Sequence, residues 1–203
     1  MPARKLVEGP RGGRFRTNTT IPLVFGREGA RYRIFNTGDA PFDVTTANNA
    51  MGNPILVSIL NGCSIDLLIK DAAIGLKVVP SGNAEGVYEI IQPDAEIRPG
   101  RLKVRQASAA TEQLVISMLP QVNTTTTPKA LYRFFNAGKN EFKVIMRTAA
   151  TAVEHSLGAD QSIDFEVPGT GAHRTVSVLG LAGGGGGMPK PYEASYEHLR
   201  DVP

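Results

Sequence analysis

A thirteen-residue stretch occurs twice in this 203-residue chain, and in both copies apolar and polar residues alternate. Tyr32-Arg33-Ile34-Phe35-Asn36-Thr37-Gly38, followed by Phe42 and Val44, returns as Tyr132-Arg133-Phe134-Phe135-Asn136-Ala137-Gly138, followed by Phe142 and Val144, at an offset of 100 with seven identities. Downstream, Ser64-Ile65-Asp66-Leu67 returns as Ser162-Ile163-Asp164-Phe165. Upstream, Asn18-Thr19-Thr20-Ile21-Pro22 returns as Asn123-Thr124-Thr125-Thr126-Thr127-Pro128. Three blocks in one order describe two copies of a module, near 18–80 and 123–181, separated by a linking section.

The period inside each copy is two, the period of a half-buried strand, not the 3.6 of a helix. An Asn/Gly turn then sits between two strand-like runs, the pattern of a hairpin. Each copy supplies about five short strands, spaced as in sandwiches and barrels. The linking section adds strand-like runs at 87–91, 102–107 and 113–119. Two sandwiches in tandem are favoured over one larger sandwich, because each module with its linking strands comes to about 80 to 100 residues. The second copy shows no counterpart of the linking strands and is expected to borrow them from the first copy or from a neighbouring subunit. The expected fold is all-β: two tandem jelly-roll-like β-sandwich modules with an extended N-terminal arm and a C-terminal tail. The domain plan is an arm at 1–17, a first module with linking strands at 18–122, a second module at 123–182, and a hinge with an anchor segment at 183–203.

The net charge of +3 is concentrated in the arm. Arg4, Lys5, Arg11, Arg14 and Arg16 against Glu8 give the first sixteen residues 5 − 1 = +4, leaving −1 for the rest. Pro2, Gly9, Pro10, Gly12 and Gly13 break any ladder or helix there, so the arm is expected to be extended. Such an arm can neutralise four or five phosphates, with strong salt dependence. Phe15 is the one aromatic interleaved with it, so nucleic acid is not expected as a partner. At the other end, five glycines at 183–187 read as a hinge. Beyond them Tyr192, Tyr196 and Leu199, at i, i+4 and i+7, read as the apolar stripe of a short helix opened by Pro191. A helix that short does not persist alone. It is expected to order against a partner or back on the body.

No catalytic or metal-binding spacing stands out. His155, His173 and His198 lie in separate segments with no i, i+4 pair, and no metal or other cofactor is expected. Cys63, the one cysteine, follows the Asn61-Gly62 turn and has no identifiable base, so it reads as an inert thiol. One cysteine also excludes a disulfide framework. Asp66 and Asp164 invite a repeated calcium or sugar site. A calcium loop brings several closely spaced oxygen ligands, and Ser64-Ile65-Asp66 brings few, so these polar residues are expected to face outward and satisfy turn amides. The glycine run is no phosphate loop, because two prolines follow it and no Walker lysine with Ser or Thr does. With no secretory apolar run near the start and no run of membrane-spanning length, the chain is expected to be soluble and made in a reducing cytoplasm.

Duplicated β-modules, extended ends and the lack of a catalytic constellation describe an assembly component better than an enzyme. In plan, over most of its length, the chain resembles the decoration, or cement, proteins of tailed-phage capsids, and more broadly virion structural proteins. That resemblance implies a non-enzymatic β-sandwich protein, a trimer or dimer. It would be assembled in the host cytoplasm into the virion, bound outside the lattice of the major capsid protein and bracing it against internal DNA pressure. On this view Arg4, Lys5, Arg11, Arg14 and Arg16 meet an acidic capsid surface, while Tyr192, Tyr196 and Leu199 dock in an apolar groove on a neighbour. Deleting 1–16 or 188–203 should then leave a folded body that no longer binds. The alternative is a carbohydrate-binding, lectin-like module of a phage tail or cell surface, with paired sites at Asp66 and Asp164.

Overall fold

The computed structural model describes residues 5–9, 12–23, 30–46, 56–69, 76–91, 100–104, 112–118, 129–147, 151–167, 174–181 and 190–202. The ordered elements among them are strands, and the chain divides into two compact units, Met1–Ile91 and Gln92–Pro203. The first unit holds β1 (Lys5–Gly9), β2 (Gly12–Thr17), β3 (Ile21–Leu23), β4 (Ala30–Asn36), β5 (Phe42–Thr46), β6 (Leu56–Ile59), β7 (Ser64–Ile69), β8 (Leu76–Pro80) and β9 (Ala84–Ile91). The second holds β10 (Gly100–Val104), β11 (Gln113–Met118), β12 (Lys129–Asn136), β13 (Phe142–Arg147), β14 (Ala152–Leu157), β15 (Ser162–Val167), β16 (Arg174–Gly180) and β17 (Tyr192–Val202).

The two units repeat one topology. In the first, the strands run β2-β9-β4-β7 and β3-β8-β5-β6, with β1 antiparallel on the outer side of β2. In the second they run β10-β17-β12-β15 and β11-β16-β13-β14. Numbered from β2 and from β10, both read 1-8-3-6 and 2-7-4-5. Eight antiparallel strands wound into two Greek keys over two sheets make a jelly roll. The expectation of an all-β fold of jelly-roll type therefore holds.

Strand alternation builds each core. Along β12, Ala130, Tyr132, Phe134 and Asn136 point inward and the residues between them outward. Rings from the two sheets of a unit meet edge-on or tilted: Phe15 of β2 with Phe42 of β5 at 5.3 Å, and Phe142 of β13 with Tyr192 of β17 at 5.4 Å between centroids. Burying each such side chain contributes about 1.5–3 kcal/mol. Close approach also explains one glycine. A Cβ on Gly86 would stand 2.3 Å from the ring of Phe15, which lies directly across from it on β2.

The repeated Asn-x-Gly turns end β4 and β12 in the same way. Asn36 Nδ2 donates to the carbonyls of Ala40 and Ile59, both at 2.9 Å, while its Oδ1 accepts from Gly38 N at 3.0 Å. Asn136 repeats the set on Asn140, Leu157 and Gly138 at 2.9, 3.0 and 2.9 Å. Each buried amide thus ties the end of one strand to the strand exit opposite.

Four expectations are corrected. The stretch 1–17 is not a free extended arm where it is described, because Lys5–Gly9 and Gly12–Thr17 form paired strands and β2 is a full member of the first jelly roll. The segment after the glycine run is a strand, not a helix: β17 lies between β10 and β12, hydrogen-bonded to both. The boundary between units falls after Ile91, not after residue 122. Finally, the second copy has strands of its own where it was expected to borrow them. Its opening strands are β10 and β11, read from sequence as linkers, and its closing strand is β17.

Candidate functional site

Each unit carries an Arg-centred charged rung on the outward face of its β4- or β12-containing sheet. In the second unit Arg133 of β12 stands directly between Asp164 of β15 and Glu197 of β17. In the first, Arg33 of β4 stands between Asp66 of β7 and Glu89 of β9. Both arginines grip their aspartates as a fork. Arg33 Nε and Nη2 donate to Asp66 Oδ1 and Oδ2 at 2.6 and 2.8 Å, and Arg133 does the same to Asp164 at 2.8 and 3.0 Å. Planar guanidinium and carboxylate groups favour this bidentate geometry.

The two rungs differ in access to water. The Arg33 and Asp66 side chains are 0% and 1% exposed, those of Arg133 and Asp164 46% and 41%. The next rung repeats the contrast. Ser64 is buried beside a half-buried Phe35, whereas Ser162 is exposed beside Phe135, which is 37% exposed and flanked on its other side by Ser195. Arg133, Phe135, Ser162, Ser195, Tyr196 and Glu197 line a hollow of about 230 Å³ there. The hydrogen bond from Arg133 holds the Asp164 carboxyl below the usual carboxylate range, and Asp164 in turn pushes the guanidinium up. On the other sheet of this unit a second polar knot joins β13 and β16 to Glu112, the residue before β11. Arg147 of β13 grips Glu112, which also accepts from Ser177 of β16 at 2.9 Å. The Arg147 contact lowers the Glu112 carboxyl, with burial opposing it.

These positions revise the residue expectations. Tyr192 and Tyr196 are 4% and 1% exposed inside their own unit, so they are core residues and not a docking stripe. Leu199 is half-buried at a bulge, where Leu131 pairs with Arg200 but Tyr132 with His198. Arg14 and Arg16 are exposed on the outer side of β2, and Arg16 Nε pairs with Glu85 at 2.8 Å. Lys5 lies in β1, while Arg4 and Arg11 lie outside the described residues. The paired sugar sites are also corrected, because Asp66 is sealed from solvent by its arginine and the surrounding fold. Asp66 and Asp164 pair across the sheet with arginines, a role the sequence reading did not assign them. Cys63 is buried. His155 rests edge-on against Phe165 at 5.2 Å, and His198 contacts the Tyr132 ring at 5.2 Å and Asp201 Oδ1 at 3.0 Å. His173 lies outside the described residues. Among the described residues there is no group of three or more His, Cys, Asp or Glu placed to hold a metal, and no helix long and apolar enough to cross a membrane.

No protein-family model matches the chain, and no curated protein does. Among solved structures, the chain is similar to the 7S globulin of Momordica charantia, at 8% identity over 93% of this chain and 73% of that one, with a TM-score of 0.30. It is similar to Broad Bean Stain Virus at 6% identity over 100% and 92%, with a TM-score of 0.30. Oxalate decarboxylase from Lactobacillus farciminis matches at 8% identity over 98% and 84%, with a TM-score of 0.28. Likenesses at this level place no ligand, metal or partner on the chain.

Proposed function

We propose that this protein is a non-enzymatic structural subunit of a virion, a decoration or cement protein seated on the lattice of a major capsid protein. The carrying observation is the strand order, two eight-stranded jelly rolls in tandem, each with its interior filled by aromatic and aliphatic side chains. Packed interiors leave recognition to the outer faces and loops. The step from fold to virion is an analogy of architecture. Binding through free terminal arms is no longer part of the mechanism, because β2 and β17 are built into the jelly rolls. The adhesive surfaces are instead the outward sheet faces, where charged rungs set orientation and the exposed Phe135 supplies apolar contact. The test is cosedimentation of the full-length protein with intact particles, followed by imaging of the decorated sites. Absence from every particle fraction would overturn the proposal.

A second reading, a carbohydrate-binding module, is favoured by the hollow beside Phe135, where an aromatic ring, two serines and a carboxylate converge. It now predicts one site per chain rather than two. Glycan-array binding lost in Phe135→Ala would promote it above the structural role.

A further inference from the structure

In the outward row of Arg, Phe, Ser and Asp on two adjacent strands, the Arg, Ser and Asp are closed to solvent in the first unit and open in the second, while Phe35 is half-buried and Phe135 is 37% exposed. Nothing in core packing requires an outward Phe on β12, since Tyr132 and Phe134 already fill the inward positions. We propose that the open row on β15-β12-β17 is a self-association surface that receives the β2 side of the first unit of a second copy of this chain. This rests on the structural role proposed above.

Charge selects that occupant. The open row presents two carboxylates, Asp164 and Glu197, to one guanidinium, Arg133. At the β2 edge the exposed charges are of the opposite sign: Arg14 and Arg16 are exposed, Arg16 pairing with Glu85, while Glu89 is half-buried opposite Arg33. Arg14 would face Glu197 and Asp164, and Phe135 would lose its remaining water contact. Because the two surfaces differ, the contact is heterologous, and repeated contacts of that kind give a closed ring or an open filament, not an isologous pair.

The experiment is sedimentation velocity of the full chain across a concentration series, with Phe135→Lys and Arg14→Glu variants and their equimolar mixture. Both sites are exposed, and circular dichroism melts establish that the variants stay folded. Wild type should assemble beyond a dimer, and each variant should associate at least about 30-fold more weakly, as expected when a central contact is lost. In the mixture, Phe135→Lys copies still offer an intact β2 side and Arg14→Glu copies an intact row, so association should stop at a dimer. A monomeric wild type at 100-fold higher concentration than the particle assay, or a Phe135→Lys variant that assembles like wild type, overturns the proposal. A Phe135→Lys variant that assembles normally but loses glycan binding overturns it in favour of a sugar site. If wild type self-associates but never decorates particles, the virion assignment fails and this surface stands.

Discussion

Replacing Asp66 with alanine should be far more damaging than the same change at Asp164, although the two occupy equivalent places in the repeat. Asp66→Ala leaves the Arg33 guanidinium buried at 0% exposure without its two-pronged carboxylate. Breaking a buried pair on one side costs about 3–5 kcal/mol, a large share of the 5–15 kcal/mol typical of a folded domain. With a urea dependence of about 2 kcal/mol per molar, the midpoint of the affected transition should fall by about 2 M. Asp164→Ala exposes an arginine that already faces water, and exposed ion pairs contribute little. Its midpoint should stay within experimental scatter. Equilibrium urea unfolding of the full chain, followed by tyrosine fluorescence and far-ultraviolet dichroism, reads both. The pair Arg33→Met with Asp66→Leu should recover part of the loss, because much of the penalty comes from a buried guanidinium deprived of its carboxylate fork and not from the missing attraction. Equal shifts at the two sites, or a double variant no better than Asp66→Ala, would refute the argument.

Other outcomes follow from the same contacts. Asn136→Asp should destabilise more than Asn136→Ala, because a carboxylate would oppose the carbonyls of Asn140 and Leu157 where the amide donates; urea midpoints of the two variants check this. Gly86→Ala should cost about 1–3 kcal/mol in a thermal or urea melt, since the new methyl must displace the Phe15 ring. In a carboxyl-detected NMR titration the Asp164 midpoint should rise in Arg133→Ala, and that of Glu112 in Arg147→Ala. Both carboxyls are lowered in the folded state, so the stability they lend is present above their unfolded values and lost as pH falls through the folded ones. Truncation before Lys190 should unfold the second unit rather than free a body from its anchor, because β17 is paired along both edges; loss of cooperative melting for that unit is the readout.

The offset of 100 exposed β4, β5, β12 and β13 because the turn between them has the same length in both copies. It could not align the closing strands, where unequal loops shift the offset to 108: Glu85-Gly86-Val87-Tyr88-Glu89 matches Glu193-Ala194-Ser195-Tyr196-Glu197. The opening strands carry a third offset, with Gly13-Arg14-Phe15-Arg16 answered by Gly100-Arg101-Leu102-Lys103. The first basic cluster is therefore partly a strand motif present in both copies, which its charge alone disguised as an arm. The helix expectation at Tyr192 and Tyr196 failed because a spacing of four suits either period. What separates them is Ala194, buried between the tyrosines as a strand demands. The Arg–Asp rung was legible in principle, since both partners recur at matching places. Its unequal burial was not, because solvent access depends on what lies above a face and not on the residues that compose it.

The placement of β9 and β17 also sets an order of events during synthesis. Each jelly roll closes by inserting its eighth strand between its first and third, so no unit is complete until that strand exists. The first unit has all its strands once Ile91 has been made, and domains generally fold as units from the N-terminal side. The second must hold Gly100–Val104 and Lys129–Asn136 apart, unpaired with each other, until Tyr192–Val202 emerges. Such distant pairing is slow to form and leaves strand edges exposed while it waits. The finished first unit thus accompanies an unfinished neighbour with the same sheet chemistry, and until the last strand arrives mispairing between nascent chains competes with closure.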